Sequence, residues 1–203
     1  MKFKKTILSI LFITLFLNVN IYSKNSFEAF PKRKISKDNQ KPLKIAILKT
    51  SDTGLIFECA SGLYVKRAFE ERGHFVCYFT ELKNDEELIK EKIHSWCQSD
   101  LDVIITLGGT GFTQRDTTYE AVSQVIKRQI PGFGELFRAL SYKELDLEEN
   151  SIKVWVACGS RAIAGVCDKT AIFALPGSPH AAKLACDKII LDLVPTLILR
   201  LNE

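Results

Sequence analysis

Gly108–Ala121 reads GGTGFTQRDTTYEA and directly follows the apolar run Val103-Ile104-Ile105-Thr106-Leu107. A Val/Ile-rich run of this length bounded by glycine predicts a buried strand of a parallel sheet. Gly108, Gly109 and Gly111, with Thr110 between them, let the backbone turn sharply off that strand and approach a ligand closely. Arg115 and Asp116 then place a cation and a carboxylate at the mouth of the turn. A helix follows, capped by Thr117 or Thr118 and carrying Glu120 in its first turn. Strand, glycine turn and helix start together hold anionic groups, phosphate above all, because free N–H groups at a helix N-terminus attract them. The spacing is neither a Walker P-loop nor a GxGxxG fingerprint. Asp116 has two readings: a carboxylate that holds a hard cation such as Mg²⁺, or a helix N-terminal acid favoured by the dipole. Within the glycine turn the first is preferred.

The elements that must position these residues alternate along the chain. Leu43–Leu48 reads as a first buried strand, ending in the polar turn Lys49-Thr50-Ser51-Asp52-Thr53-Gly54. Open α/β sheets bind ligands at such strand ends, which makes Ser51 and Asp52 candidate phosphate or nucleotide contacts. Helical spacing predicts helices over Phe57–Arg72, stopped by Gly73, and over Glu86–Trp96, capped by Asn84 or Asp85. Phe75–Phe79 lies between them as a second strand. After the glycine strand come a helix over Thr118–Lys127, a short helix over Glu135–Leu140, and apolar strands over Ile152–Cys158 and Ala171–Leu175. Pro176-Gly177-Ser178-Pro179 opens a last long helix, with Pro179 in its first turn. This alternation predicts an α/β fold whose mainly parallel sheet is covered on both faces.

The sequence carries 28 Lys/Arg against 24 Asp/Glu. Residues 1–42 hold a net charge of +7, so the remainder is mildly acidic at −3. That balance argues against a nucleic-acid surface on the folded body. Lys2, Lys4 and Lys5 precede an apolar Ile7–Leu17, and the pattern predicts that Met1–Ser23 is a signal peptide or N-terminal anchor. The expectation is export or membrane tethering, with a cytoplasmic location as the alternative. Residues 24–42 read as a basic polar linker with possible membrane contact. Residues 43–203 form the domain. Six dispersed cysteines without a CxxC pair, each in an apolar run, are expected as buried thiols. His74, His94 and His180 lack metal-ligand spacing.

Three further motifs accompany the glycine turn: PGFGELFR at Pro131–Arg138, SRAIAGV at Ser160–Val166 and ALPGSPHAAKLA at Ala174–Ala185. With GGTGFTQRDTTYEA, and in this order, they resemble the molybdenum cofactor biosynthesis protein B and molybdopterin adenylyltransferase family over roughly Leu43 to Val194. The resemblance implies a three-layer sandwich, a molybdopterin-binding domain, assembly as a homotrimer or hexamer, and ATP and molybdopterin as substrates with Mg²⁺ as cofactor. It assigns Asp116 to catalysis and metal binding, and Gly108, Gly109, Thr110 and Gly111 to phosphate. It further implies that Ser160, Arg161, Pro176, Gly177 and Ser178 contact the pterin, Arg161 as a bidentate partner of its phosphate. A second family aspartate falls on Asn84, a departure, with Asp85 next in line to replace it. The leading expectation is Mg-ATP-dependent adenylylation of molybdopterin. The alternative is a catalytically weak pterin- or nucleotide-binding scaffold of the same fold. Residues 145–159 exceed the corresponding family segment.

Overall fold

The computed structural model describes residues 41–52, 59–144 and 157–203. The candidate signal segment, residues 24–40 of its linker, Thr53, Gly54 and most of the extra segment lie outside them. Lys41–Glu203 form one unit. Its elements are β1 (Lys44–Thr50), α1 (Ala60–Glu70), β2 (Phe75–Leu82), α2 (Glu86–Cys97), β3 (Val103–Leu107), α3 (Thr118–Val125) and β4 (Arg128–Gln129). They continue with α4 (Pro131–Glu144), β5 (Ile163–Cys167), β6 (Thr170–Leu175), α5 (Pro179–Ala185), a π-helical turn over Cys186–Ile190, and α6 (Leu191–Leu201).

One six-stranded sheet runs in the order β2-β1-β3-β6-β5-β4. The first four strands are mutually parallel, β5 runs antiparallel to β6, and β4 pairs antiparallel with β5 at the edge, so β5 alone is reversed. Strand side chains alternate between two apolar layers, as the pleat requires. Ile45, Ile47, Val103, Ile105 and Phe173 meet α1, α4, α5 and α6 on one face. Ala46, Leu48, Ile104, Ile172 and Ala174 meet Ile89, Ile93 and Trp96 of α2 and Ala121, Val122 and Val125 of α3 on the other. The expected α/β sandwich with a mainly parallel sheet is therefore present.

Several local expectations change. Asp168 and Lys169 connect β5 to β6 as a two-residue hairpin, with Asp168 at φ +53°. Asp tolerates that conformation, and the hairpin is what breaks the parallel order. Of the strand expected over Ile152–Cys158, residues 152–156 lie outside the described ones, and Ala157 and Cys158 are helical. Residue 127 leaves the expected third helix, because its N–H bonds to Val166 O at the sheet edge. Helix α4 starts at Pro131 rather than Glu135 and runs longer than expected. Phe133 and Phe137 are core, while Leu136 is exposed. Cys59, Cys167 and Cys186 are buried, but Cys77 and Cys158 are exposed. Cys77 lies on the edge strand β2, which alternation alone could not place. Among the described residues no helix is long and apolar enough to cross a membrane.

His74 ties β1 to the turn after α1. Its Nδ1 accepts the Leu43 N–H at 3.3 Å, and its ring lies 5.9 Å from that of Phe69. Burial, then the Arg72 charge, push its pKa down, against a weaker opposite pull from Asp102. A depressed value means that the stabilisation is complete above about pH 6.5 and is lost as pH falls through the lower folded value. Thermal melts of the full chain should therefore weaken below about pH 6.5. His74→Asn keeps an acceptor without titrating, so it should flatten that part of the profile. Identical pH profiles for both proteins would exclude this role.

Candidate functional site

The strands end in step. Lys49 pairs with Leu107 and Leu107 with Leu175, so the turns after β1, β3 and β6 emerge side by side. The chain passes from β1 outward to β2 and then returns to β3 on the other side. A crevice beside the C-terminal ends of β1 and β3 is where such a reversal opens a ligand site.

Glycine is required where these turns meet. Gly108 has φ +110° and Gly109 φ +61°. A Cβ on Gly108 would lie 2.3 Å from Thr50 O, and one on Gly109 2.3 Å from Thr118 Oγ1. Gly177 brings its backbone against Gly108 from the β6 side. The Thr50 and Thr118 hydroxyls bond to each other at 3.0 Å, and the Thr118 N–H donates to Gly109 O at 3.0 Å. Thr118 itself begins α3, after an N-cap Thr117 whose side chain makes no capping bond. The buried Thr110 accepts the Arg161 backbone N–H through its carbonyl at 2.8 Å.

A cavity of about 340 Å³ opens there, lined by Thr50, Ser51, Asp52, Asn84, Thr113, Arg115 and Asp116. Asp116 Oδ2 accepts from Thr113 N–H at 3.0 Å and Thr113 Oγ1 at 2.5 Å. Gly111 must be small beside it, since a Cβ would lie 2.7 Å from that oxygen. Asn84 donates its backbone N–H to Asp52 Oδ1 at 3.0 Å and its Nδ2 to Asp52 Oδ2 at 3.3 Å. These N–H groups, backbone first, hold the Asp52 carboxyl below its usual range, with Arg115 and Lys83 adding to the effect. The Asn84 Oδ1 is buried and has no hydrogen-bond partner among the described residues. Asp85 sits outside this cavity. Its carboxylate caps α2 through the Leu88 N–H at 3.0 Å.

The remaining expected contacts do not line this cavity. Ser160 and Arg161 line a second cavity of about 340 Å³ with Tyr119, Gly134 and Arg138. Ser51 and Gly177 line a third of about 240 Å³. Ser178 caps α5 through the Ala181 N–H at 3.2 Å, and Pro176 leads out of β6 into that cap. Arg161 differs most from its expected role as a phosphate partner. Its guanidinium donates to Gly111 O at 2.6 Å and Asp116 O at 2.9 Å, pairs through both terminal nitrogens with Glu120, and stacks 4.8 Å from the Tyr119 ring. The fork is occupied within the chain, so Arg161 fixes the glycine turn on α3 instead of reaching outward. Thr113 was not anticipated, and its three-residue spacing from Asp116 was the available signal.

These residues fit a magnesium-bearing phosphate site. Mg²⁺ needs one or two protein carboxylates and completes its shell with water and phosphate. Asp52 and Asp116 supply two. Among the described residues no group of three His, Cys, Asp or Glu is placed to hold a metal by itself.

Residues 46–196 match the family model described as "Probable molybdopterin binding domain". The chain belongs to the molybdenum cofactor biosynthesis family. It is 41% identical over 167 residues to molybdenum cofactor biosynthesis protein B of Staphylococcus epidermidis, covering 80% of this chain and 91% of that one. The Bacillus anthracis protein of the same name is 38% identical over 156 residues, covering 76% and 88%. A crystal structure of molybdenum cofactor biosynthesis protein B superimposes with a TM-score of 0.73 at 36% identity, covering 81% of this chain and 98% of that one. The tungsten cofactor synthesizing protein MoaB from Pyrococcus furiosus gives 0.69 at 28% identity, covering 81% and 100%. Met1–Ser23 lies outside both the family match and the described residues.

The Arg161 fork makes a direct prediction. Lysine keeps the charge but cannot bridge two carbonyls and a carboxylate. Arg161→Lys should lower unfolding free energy by about 1.5–3 kcal/mol, the range for hydrogen bonds to a charged group, as read by urea denaturation. It should also speed amide exchange across residues 110–116. Unchanged exchange there would show that the fork does not hold the turn.

Proposed function

We propose that the protein adenylylates molybdopterin with Mg-ATP, using the cavity between β1 and β3. The observation that carries this is the pairing of a close-packed glycine turn with a carboxylate, Asp116, fixed at its mouth by Thr113. The pterin's terminal phosphate oxygen attacks the α-phosphorus of ATP. A P–O bond forms there, the bond to the bridging oxygen breaks, and pyrophosphate leaves. Such a reaction depends on positioning and on stabilising charge rather than on a protein nucleophile. Gly108–Gly111 do not line the cavity themselves but let the turn pack against Thr50, Thr118 and Asp116, which sets the position of its wall, and Ser51 lies between that cavity and the neighbouring one beside Gly177. Asp116 would hold Mg²⁺, which neutralises phosphate charge when bound. Arg115 lines the same cavity and supplies a positive charge facing the phosphates. Ser160 lines the cavity assigned here to the pterin, with Arg138 beside it. The same reading includes assembly as a trimer or hexamer, with the exposed Leu136 of α4 available to the interface.

One observation favours a second reading, in which pterin or nucleotide is held without turnover: Asn84 places an amide where an acid is expected. Single-turnover formation of adenylylated pterin separates the two. Asp116→Asn keeps the oxygen that Thr113 binds, so stability should change by only ~0.5 kcal/mol. The rate should fall about 10²–10³-fold, as for loss of one electrostatic element. Asp85→Asn keeps a cap and should leave the rate unchanged. Full turnover by a well-folded Asp116→Asn protein would remove Asp116 from the reaction. No product from the unmodified chain would favour the binding protein.

A further inference from the structure

We infer that Asp52 is the second carboxylate of the cation site and that Asn84 is the positioning residue that holds it there. The inference rests on the phosphate-site reading above and adds a role that the glycine turn does not supply. The two carboxylates that line the cavity come from different strand ends, Asp52 after β1 and Asp116 after β3. They therefore approach the crevice from two sides. Asp116 is fixed by Thr113 in its own loop. Asp52 is fixed from a third strand end, after β2, because Asn84 meets both of its oxygens, at 3.0 and 3.3 Å.

Two N–H donors use part of a carboxylate's capacity of about four lone-pair sites and leave the rest for a cation. The alternatives at this end of the sheet are closed. Asp85 is committed to the α2 cap. The Asn84 Oδ1 faces Gly109, 3.0 Å from where a Cβ there would lie, and is neutral. An aspartate at position 84 would set a like charge against Asp52. The amide instead makes the contact attractive, and the negative charge at this wall of the cavity belongs to Asp52 alone.

The test is Mn²⁺ binding by the full chain in the presence of ATP, followed by electron paramagnetic resonance. Melting temperatures serve as the folding control. Asn84→Ala, which removes only the side-chain donor, should weaken Mn²⁺ binding about 10-fold, as loss of an outer-shell partner does. Asp52→Asn should weaken it further at an unchanged melting temperature. Adding Asn84→Ala to Asp52→Asn should weaken binding no further, because a positioning residue acts only through the carboxylate it holds. Losses that add in the double variant overturn the pairing. Asp52→Asn binding Mn²⁺ as tightly as the unmodified chain overturns the inference while leaving the proposed function standing. Absence of Mn²⁺ binding with ATP in the unmodified chain overturns both.

Discussion

The guanidinium of Arg161 is the point at which the site is assembled. It lies just before β5, yet it holds the carbonyls of Gly111 and Asp116 and the carboxylate of Glu120 in α3. Two segments distant in sequence, residues 111–120 and the approach to β5, are thereby given one geometry. A turn containing Gly108, Gly109 and Gly111 has large conformational freedom of its own. Without an external clamp, the ordering cost of that turn would fall on ligand binding. With the clamp, the cost is met during folding. The hydroxyl pair of Thr50 and Thr118 does the same on the opposite side of the turn.

The charge of the cavity follows from how three loops share donors. Thr113 and Asn84 each present two donors to a carboxylate, and Arg115 is the one cation lining the cavity among the described residues. Among the described residues the hydrogen bonds to both acids come from neutral donors, which leave a carboxylate's charge for a cation where a salt bridge would offset it. The Arg161–Glu120 pair lies outside that cavity and does not change this balance.

Much of this was legible in the sequence because burial and backbone freedom leave plain patterns. Val103–Leu107 was anticipated to the residue, since a continuous apolar run ending in glycine has few alternatives. The glycine turn, Asp116 and the polar strand end at Ser51 and Asp52 were read from the same logic, and the cavity contains both acids. The β5–β6 hairpin was missed because Ile163–Cys167 was read as part of a motif, and Asp168-Lys169 is a modest turn signal. The intrachain contacts of Arg161 were out of reach for a different reason. A sequence shows that an arginine can form a fork, but not that Gly111, Asp116 and Glu120 already fill it. Asp85 illustrates the same limit, because a cap and a metal ligand need the same residue type one position apart. The pairing of Asn84 with Asp52 spans two loops, and nothing local to either announces it.

Whether the crevice between β1 and β3 holds the nucleotide's phosphates is decided by a crystal structure of the full chain with Mg²⁺ and a non-hydrolysable α,β-methylene analogue of ATP. Triphosphate density is expected in the cavity lined by Ser51, Arg115 and Asp116, with the metal between phosphate oxygens and Asp116. Nucleotide bound instead in the cavity beside Ser160 and Arg138, or phosphates without contact to Asp116, would contradict this placement.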